Sequence, residues 1–230
     1  MGRRLRTDED SYRRRTPAGV PVRESASLER RKLLILACEG LKTERQYFEA
    51  WFTKLREAGK ISPRSCVIAP HDHTNPTGVL ADLVAYQSNG ITCLDFEHKW
   101  IVIDRDEERT NGGGHTVQDF NDALTQAKKQ GVKVAYSNPC FEFWFLLHYD
   151  LRDSSLHRDD LAKLLSQRMG VAYEKSDKGH FERLFPKIPI AIRNSVKLCQ
   201  SDKRPPCDAN PTTTVHELVG ILIGMLNPAT

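Results

Sequence analysis

The hydrophobic pattern of the chain begins just after residue 31. Leu33-Leu34-Ile35-Leu36-Ala37-Cys38 is apolar at every position and stops at Glu39-Gly40, the pattern of a strand covered on both faces. Thr43-Glu44-Arg45-Gln46 then has capping-box spacing. Tyr47, Phe48, Trp51, Phe52 and Leu55 recur at helical intervals, which predicts a helix to about residue 58 that Gly59 ends. The same alternation repeats. Residues 66–69 read as a second strand, and Asn75-Pro76-Thr77 opens a helix to about residue 88. Residues 99–103 read as a third strand, followed by an Asn111-Gly112-Gly113-Gly114 loop and a helix over 116–129. Gly131 stops that helix, and residues 132–136 read as a fourth strand. Strands that alternate with helices specify an α/β fold with a mostly parallel four-stranded sheet and helices on both faces.

Two further regions flank this core. Asn138-Pro139 reads as an N-cap and first helical residue of a heavily apolar helix running to His148. Beyond it the period turns helical and more polar, over 158–168, 181–185 and 190–198. A Pro- and Cys-containing loop over 203–211 leads to a last amphipathic helix over 214–226. The expected organisation is an arm over 1–30, an α/β core over 31–149 and a helical C-terminal annex over 150–230 packed on the core. The arm has no sustained hydrophobic period, and Arg13, Arg14 and Arg15 in it are candidates for phosphate or acidic-partner contact.

Composition adds little to this until charge is placed along the chain. The net charge of +4 comes entirely from residues 1–31, which carry nine Arg, no Lys and five acidic residues, so the remaining chain balances at zero. Nucleic-acid binding therefore calls for a local patch, the arm or a partner. No apolar run approaches the roughly 20 residues of a membrane span, and the arginine-rich start lacks the apolar segment of a secretory signal, so a cytoplasmic protein that engages no membrane is expected. The six cysteines contain no C-x-x-C pair, which speaks against a zinc site and, in that compartment, against disulfides.

The candidate chemistry lies at strand ends. In Ile103-Asp104-Arg105-Asp106-Glu107, alternation puts Asp104 and Asp106 on one side and Arg105 on the other. Two carboxylates so placed suit a hard divalent ion, Mg²⁺ or Mn²⁺, held together with substrate phosphate oxygens; a solvated acidic turn is the plainer alternative. All strands of a parallel sheet end on the same edge, so Glu39 converges on Asp104 and Asp106 if the first and third strands are neighbours. A carboxylate acid/base beside a carboxylate-held metal suits phosphoryl transfer or phosphodiester cleavage. Lys42 and Glu142 are accessory candidates, the first for a phosphate and the second as a further metal ligand or a partner to a helix dipole. His71-Asp72-His73 has alternating ligand spacing but reads more readily as a polar loop. Neither G-x-G-x-x-G nor G-x-x-x-x-G-K-[ST] occurs, so any ATP dependence has to come from another chain.

A Glu-Gly after the first strand with Asp-x-Asp after a later one resembles the Toprim fold of topoisomerases, primases and nucleases of the overcoming-lysogenization-defect type. More closely, Cys38-Glu39-Gly40-Leu41-Lys42-Thr43-Glu44 with Tyr47-Phe48, then Ile103 to Glu107, Ser137-Asn138-Pro139-Cys140-Phe141-Glu142-Phe143-Trp144 and Asn210-Pro211-Thr212-Thr213-Thr214-Val215-His216 resemble the RloB family over residues 32–225. That bacterial family is encoded near restriction loci, often beside an AAA- or ABC-type ATPase. The resemblance implies a Toprim-like nuclease or nuclease-related effector of antiphage defence, acting on DNA or RNA, tRNA included, with an ATPase partner. It makes Glu39 the acid/base residue and Asp104 and Asp106 the Mg²⁺ ligands. Leu41 departs from the charged residue common at that position in relatives, which weakens any polar substrate contact there. A non-catalytic subunit that docks and regulates the ATPase is the alternative, and self-association is left open. An aspartyl phosphatase fits less well, because its D-x-D belongs on the first strand.

Overall fold

The structure, a computed structural model, describes residues 32–105 and 114–228. The arginine-rich arm, including Arg13 to Arg15, and residues 106–113, which include Asp106, Glu107 and most of the glycine loop, lie outside them. The elements run β1 (Leu34–Cys38), α1 (Thr43–Glu57), β2 (Cys66–Ile68), α2 (Pro76–Val84), β3 (Gln87–Ser88), β4 (Ile91–Thr92), β5 (His98–Asp104), α3 (Val117–Lys129), β6 (Lys133–Asn138), α4 (Glu142–Leu146), α5 (Arg158–Met169), α6 (His180–Leu184), α7 (Ile188–Ser201), β7 (Thr212–Thr213) and α8 (Val215–Leu226).

The main sheet has the order β2-β1-β5-β6-β7. Its first four strands are parallel and β7 is antiparallel to β6. The sheet therefore has five strands rather than four. β7 is a two-residue edge strand between the loop read over 203–211 and the last helix; it exists because Thr212 and Thr213 pair with Asn138 and Ser137, a tertiary event with no local signature.

β1 is buried at all five positions, as its unbroken apolar run requires. Its two faces feed separate cores. Leu34, Leu36 and Cys38 join Trp100 and Val102 of β5 in a cluster with α1, α4 and the annex helices. Ile35 and Ala37 join Ile101 and Ile103 against α2 and α3. The annex residues Leu161, Leu165, Leu184, Ala191, Val215 and Leu218 belong to the first cluster, so the C-terminal helices share one core with the sheet. No helix among the described residues is long and apolar enough to cross a membrane.

Three local expectations are corrected. Helix α2 ends at Val84, and residues 87–92 form a small antiparallel hairpin turned by Asn89 (φ 51°) and Gly90 (φ 76°), the left-handed pair that tight hairpins favour. Asn138 is the last residue of β6 and not a cap, and α4 starts only at Glu142. Helix α1 starts at Thr43 with Lys42 in the cap position and no side-chain cap, so Thr43 is its first helical residue and not its cap; the Thr43 hydroxyl donates to Glu142, 3.4 Å away.

Candidate functional site

β1 and β5 are direct neighbours, in register from Leu34 opposite His98 to Cys38 opposite Val102. The pairing continues one step past β1, where the Glu39 N–H donates to the Val102 carbonyl at 2.9 Å. Glu39 and Asp104 thus leave the same edge side by side. The backbone N–H of Asp104 donates to Glu39 Oε2 at 3.1 Å, which fixes the Glu39 carboxylate over the end of β5. On its other side His115 places Nδ1 3.7 Å from Glu39 Oε1. His115 is buried, stacks on Phe120 (ring centroids 6.1 Å apart), and neither ring nitrogen has a hydrogen-bond partner among the described residues. Asp106, the expected second half of the pair, lies outside the described residues.

Two more carboxylates close around Asp104. Glu44, in the first turn of α1, is buried, and its carboxylate lies so close over Gly40 that a methyl group there would overlap it. The Glu44 carboxylate occupies the space that a side chain at position 40 would take, so a larger residue there would displace it. Glu142, at the start of α4, is buried as well. Its Oε1 is surrounded by donors: Lys175 Nζ at 3.1 Å, the Tyr173 hydroxyl at 3.1 Å and the Thr43 hydroxyl at 3.4 Å. Together these groups line an open cleft of about 380 Å³, with Lys42 and Arg158 on its walls.

The electrostatics follow from crowding. Burial, then the charges of Glu44, Glu39 and Glu142, push the Asp104 carboxyl well above the usual carboxylate range, and its Oδ1 is buried with no hydrogen-bond partner among the described residues. Burial and the neighbouring Glu142 raise Glu44 to about 7. Burial pushes Glu142 in the same direction, but the Lys175 ammonium and hydrogen bonds to its carboxylate outweigh that and hold it below the ordinary value. Glu142 is therefore the ionised, compensated member of the group, whereas at Asp104 and Glu44 burial and the neighbouring carboxylates outweigh the opposing charges of Arg158 and Lys175.

A buried carboxylate oxygen without a hydrogen-bond partner is the kind of ligand a hard divalent ion takes, and Asp104 offers one, while its expected co-ligand Asp106 lies outside the described residues. Among the described residues alone, no group of three or more His, Cys, Asp or Glu side chains is arranged to hold a metal. Arg105, the residue after Asp104, is buried, with Nε and Nη1 unpartnered among the described residues.

Of the accessory candidates, Lys42 is exposed on the cleft wall, and Glu142 lies in the cleft with one oxygen already engaged. The His71-Asp72-His73 segment is a loop clasped by Asp82, whose carboxylate accepts the backbone N–H groups of Asp72 and His73 and pairs with His73 Nδ1 at 2.9 Å. Sequence reasoning missed Glu44, His115, Tyr173, Lys175 and Arg158. Glu44 had a usable signal, since it lies on the first turn of the helix that follows Glu39; the other four reach the site only through tertiary packing.

No curated protein and no solved structure matches the chain. The family model described as RloB-like protein matches residues 34–222, a span that contains Glu39, Asp104, Glu142 and Lys175 together with every strand of the main sheet, and the chain belongs to that family.

Proposed function

We propose that the protein is a Mg²⁺- or Mn²⁺-dependent Toprim-type nuclease that hydrolyses phosphodiester bonds of DNA or RNA, tRNA included. In this reading it acts in the bacterial cytoplasm as an effector of antiphage defence, with an AAA- or ABC-type ATPase as partner. The observation that carries the reading is the placement of Glu39 against the end of β5, through the 3.1 Å bond from the Asp104 N–H, beside a carboxylate with an orphaned buried oxygen.

Asp104, with Asp106, would hold the ion, and when bound it supplies charge neutralisation at a phosphoryl oxygen and a lowered pKa for water. The remaining work falls to the protein. Glu39 Oε2 is fixed by the Asp104 N–H, which leaves Oε1, the oxygen facing His115, to accept or return a proton at the attacking water or the leaving oxygen. The β1–β5 pairing sets the distance between the acid/base group and the ligand carboxylate, so positioning here comes from the sheet rather than from a mobile loop. The test is incubation of the purified protein, alone and with a neighbouring ATPase, with plasmid DNA and total tRNA in Mg²⁺ or Mn²⁺. Cleavage should disappear in Glu39→Gln and Asp104→Asn, and equal cleavage by parent and variants would reject the assignment.

A second reading is a non-catalytic subunit that docks the ATPase and regulates it. It is favoured by the zero net charge of residues 32–230, since a free-standing nuclease gains from a basic body. Mn²⁺ titration separates the two: the nuclease reading requires binding that Asp106→Asn removes.

A further inference from the structure

We infer that the helical annex supplies the phosphate-contacting side of the cleft, through Lys175, and that Glu142 is the positioning residue that holds Lys175 there. The inference rests on the reading of the cleft as a phosphodiester site and adds to it which part of the chain meets the substrate backbone.

The floor of the cleft carries Glu39, Glu44, Asp104 and Glu142, a concentration of negative charge that repels a polyanionic backbone unless cations line the approach. Lys175 lies between α5 and α6 and reaches the cleft wall. Its pairing with Glu142 is asymmetric: the Glu142 side chain is 5% exposed and that of Lys175 56% exposed. The buried partner is also held by the hydroxyls of Tyr173 and Thr43 on the same oxygen. One end is thus a rigid, desolvated anchor and the other an ammonium at the mouth of the cleft. An ammonium has three N–H donors, of which the bond to Glu142 uses one, and the half-exposed side chain lines the cleft.

As a device for stability alone this arrangement is poor. Burying a carboxylate costs more than a half-exposed lysine returns, and apolar residues of the same volume would serve the fold at least as well. As a device for setting a point charge where a phosphate arrives it is effective, because the lysine loses its freedom on folding and not on binding. Arg158, the first residue of α5, and Lys42 add positive charge to the walls of the same cleft.

The test is equilibrium binding of labelled DNA and RNA oligonucleotides of matched sequence by the full chain, followed by fluorescence anisotropy across a salt series, with Ca²⁺ in place of Mg²⁺ so that binding is read without turnover. Lys175→Met should weaken binding of the preferred nucleic acid about three- to tenfold at low salt and lower the slope of log affinity against log salt by about one. Lys175→Arg should bind like the parent. Because Lys175→Met leaves Glu142 buried without its counter-charge, the double variant Glu142→Gln with Lys175→Met, which removes both charges, should show the same loss with its thermal unfolding close to that of the parent. If the parent binds and both variants match it in affinity and salt slope, Lys175 is not a phosphate contact and the inference falls alone. If the parent binds neither DNA nor RNA, the phosphodiester reading falls with it.

Discussion

His148 offers a test of the packing that needs no knowledge of substrate. The residue lies in the turn just past α4, is 1% exposed, and packs edge-on against Trp144 with ring centroids 4.9 Å apart. Its Nδ1 lies 2.9 Å from the Trp144 carbonyl and donates to it, and Nε2 is buried with no partner among the described residues. Burial is the main reason its pKa falls to about 4 from the ordinary 6.5; Lys187 pushes the same way, while the carbonyls of Trp144 and Phe145 push back. The folded state therefore binds fewer protons than the unfolded state between those two values. Stability contributed by the neutral ring is complete above the unfolded value and is lost as pH falls toward the folded one. At about 1.4 kcal/mol per unit, the loss reaches about 2.5 kcal/mol by about pH 4.5, a large part of a typical domain's ~5–15 kcal/mol. The parent curve alone does not isolate this, because Glu44 has a folded value raised to about 7 and stabilises in the opposite direction over the same window. The assay is urea unfolding of parent and His148→Gln between about pH 4.5 and about pH 7.5, read as the difference between the two proteins. That difference should favour the parent by about 2.5 kcal/mol less at the acid end. A difference that stays constant with pH refutes the argument, since it means the ring titrates in the folded protein as it does in the unfolded one.

Four shorter predictions probe the cleft and the core. Glu44→Gln should gain stability relative to the parent as pH rises from about 4.5 to about 7, the window set by the upward shift of the Glu44 carboxyl; the difference between the two proteins' unfolding curves at those pH values decides it, because His148 offsets the change in the parent alone. Gly40→Ala should leave the circular dichroism spectrum unchanged but weaken Mn²⁺ binding, read by calorimetry, because the new methyl group displaces the Glu44 carboxylate. Phe141→Ala should cost about 3–5 kcal/mol in denaturant unfolding, as the ring is fully buried against Tyr47, Phe48 and Phe145. A thiol reagent should label Cys199 and Cys207 in the native protein and reach Cys38, Cys66, Cys93 and Cys140 only on unfolding, since those four free thiols are buried.

How far the sequence reaches can be judged from residue pairs. The apolar runs before Glu39 and Asp104 state that two strands are buried on both faces, and a parallel sheet then forces both carboxylates to one edge; what the runs leave open is whether the strands are neighbours, and the pairing of Cys38 with Val102 supplies that. Thr43 shows the opposite case. Its spacing to Gln46 is that of a capping box, yet Lys42 takes the cap position and Thr43 is the buried first residue of the helix, its hydroxyl donating to Glu142, 99 positions away, a buried carboxylate that needs donors. Local pattern loses wherever a desolvated charge needs a donor.

The same competition explains why half of the cleft is invisible in the motifs. Glu39 and Asp104 are placed by strands, whose apolar runs advertise them, whereas Lys175 and Tyr173 lie in a polar stretch between two helices whose composition matches any solvated loop. Nothing local distinguishes that lysine from Lys178 three residues on. What singles it out is Glu142, which sits in the apolar Phe141-Glu142-Phe143-Trp144 run where an ionised side chain is intolerable without a partner. A lone carboxylate inside such a run therefore predicts that some distant cation must come to it, though not which one. Here the annex answers, and in doing so it sets a half-exposed positive charge beside the acidic edge of the sheet. The annex is on this argument part of the site as well as of the core in which α4 packs.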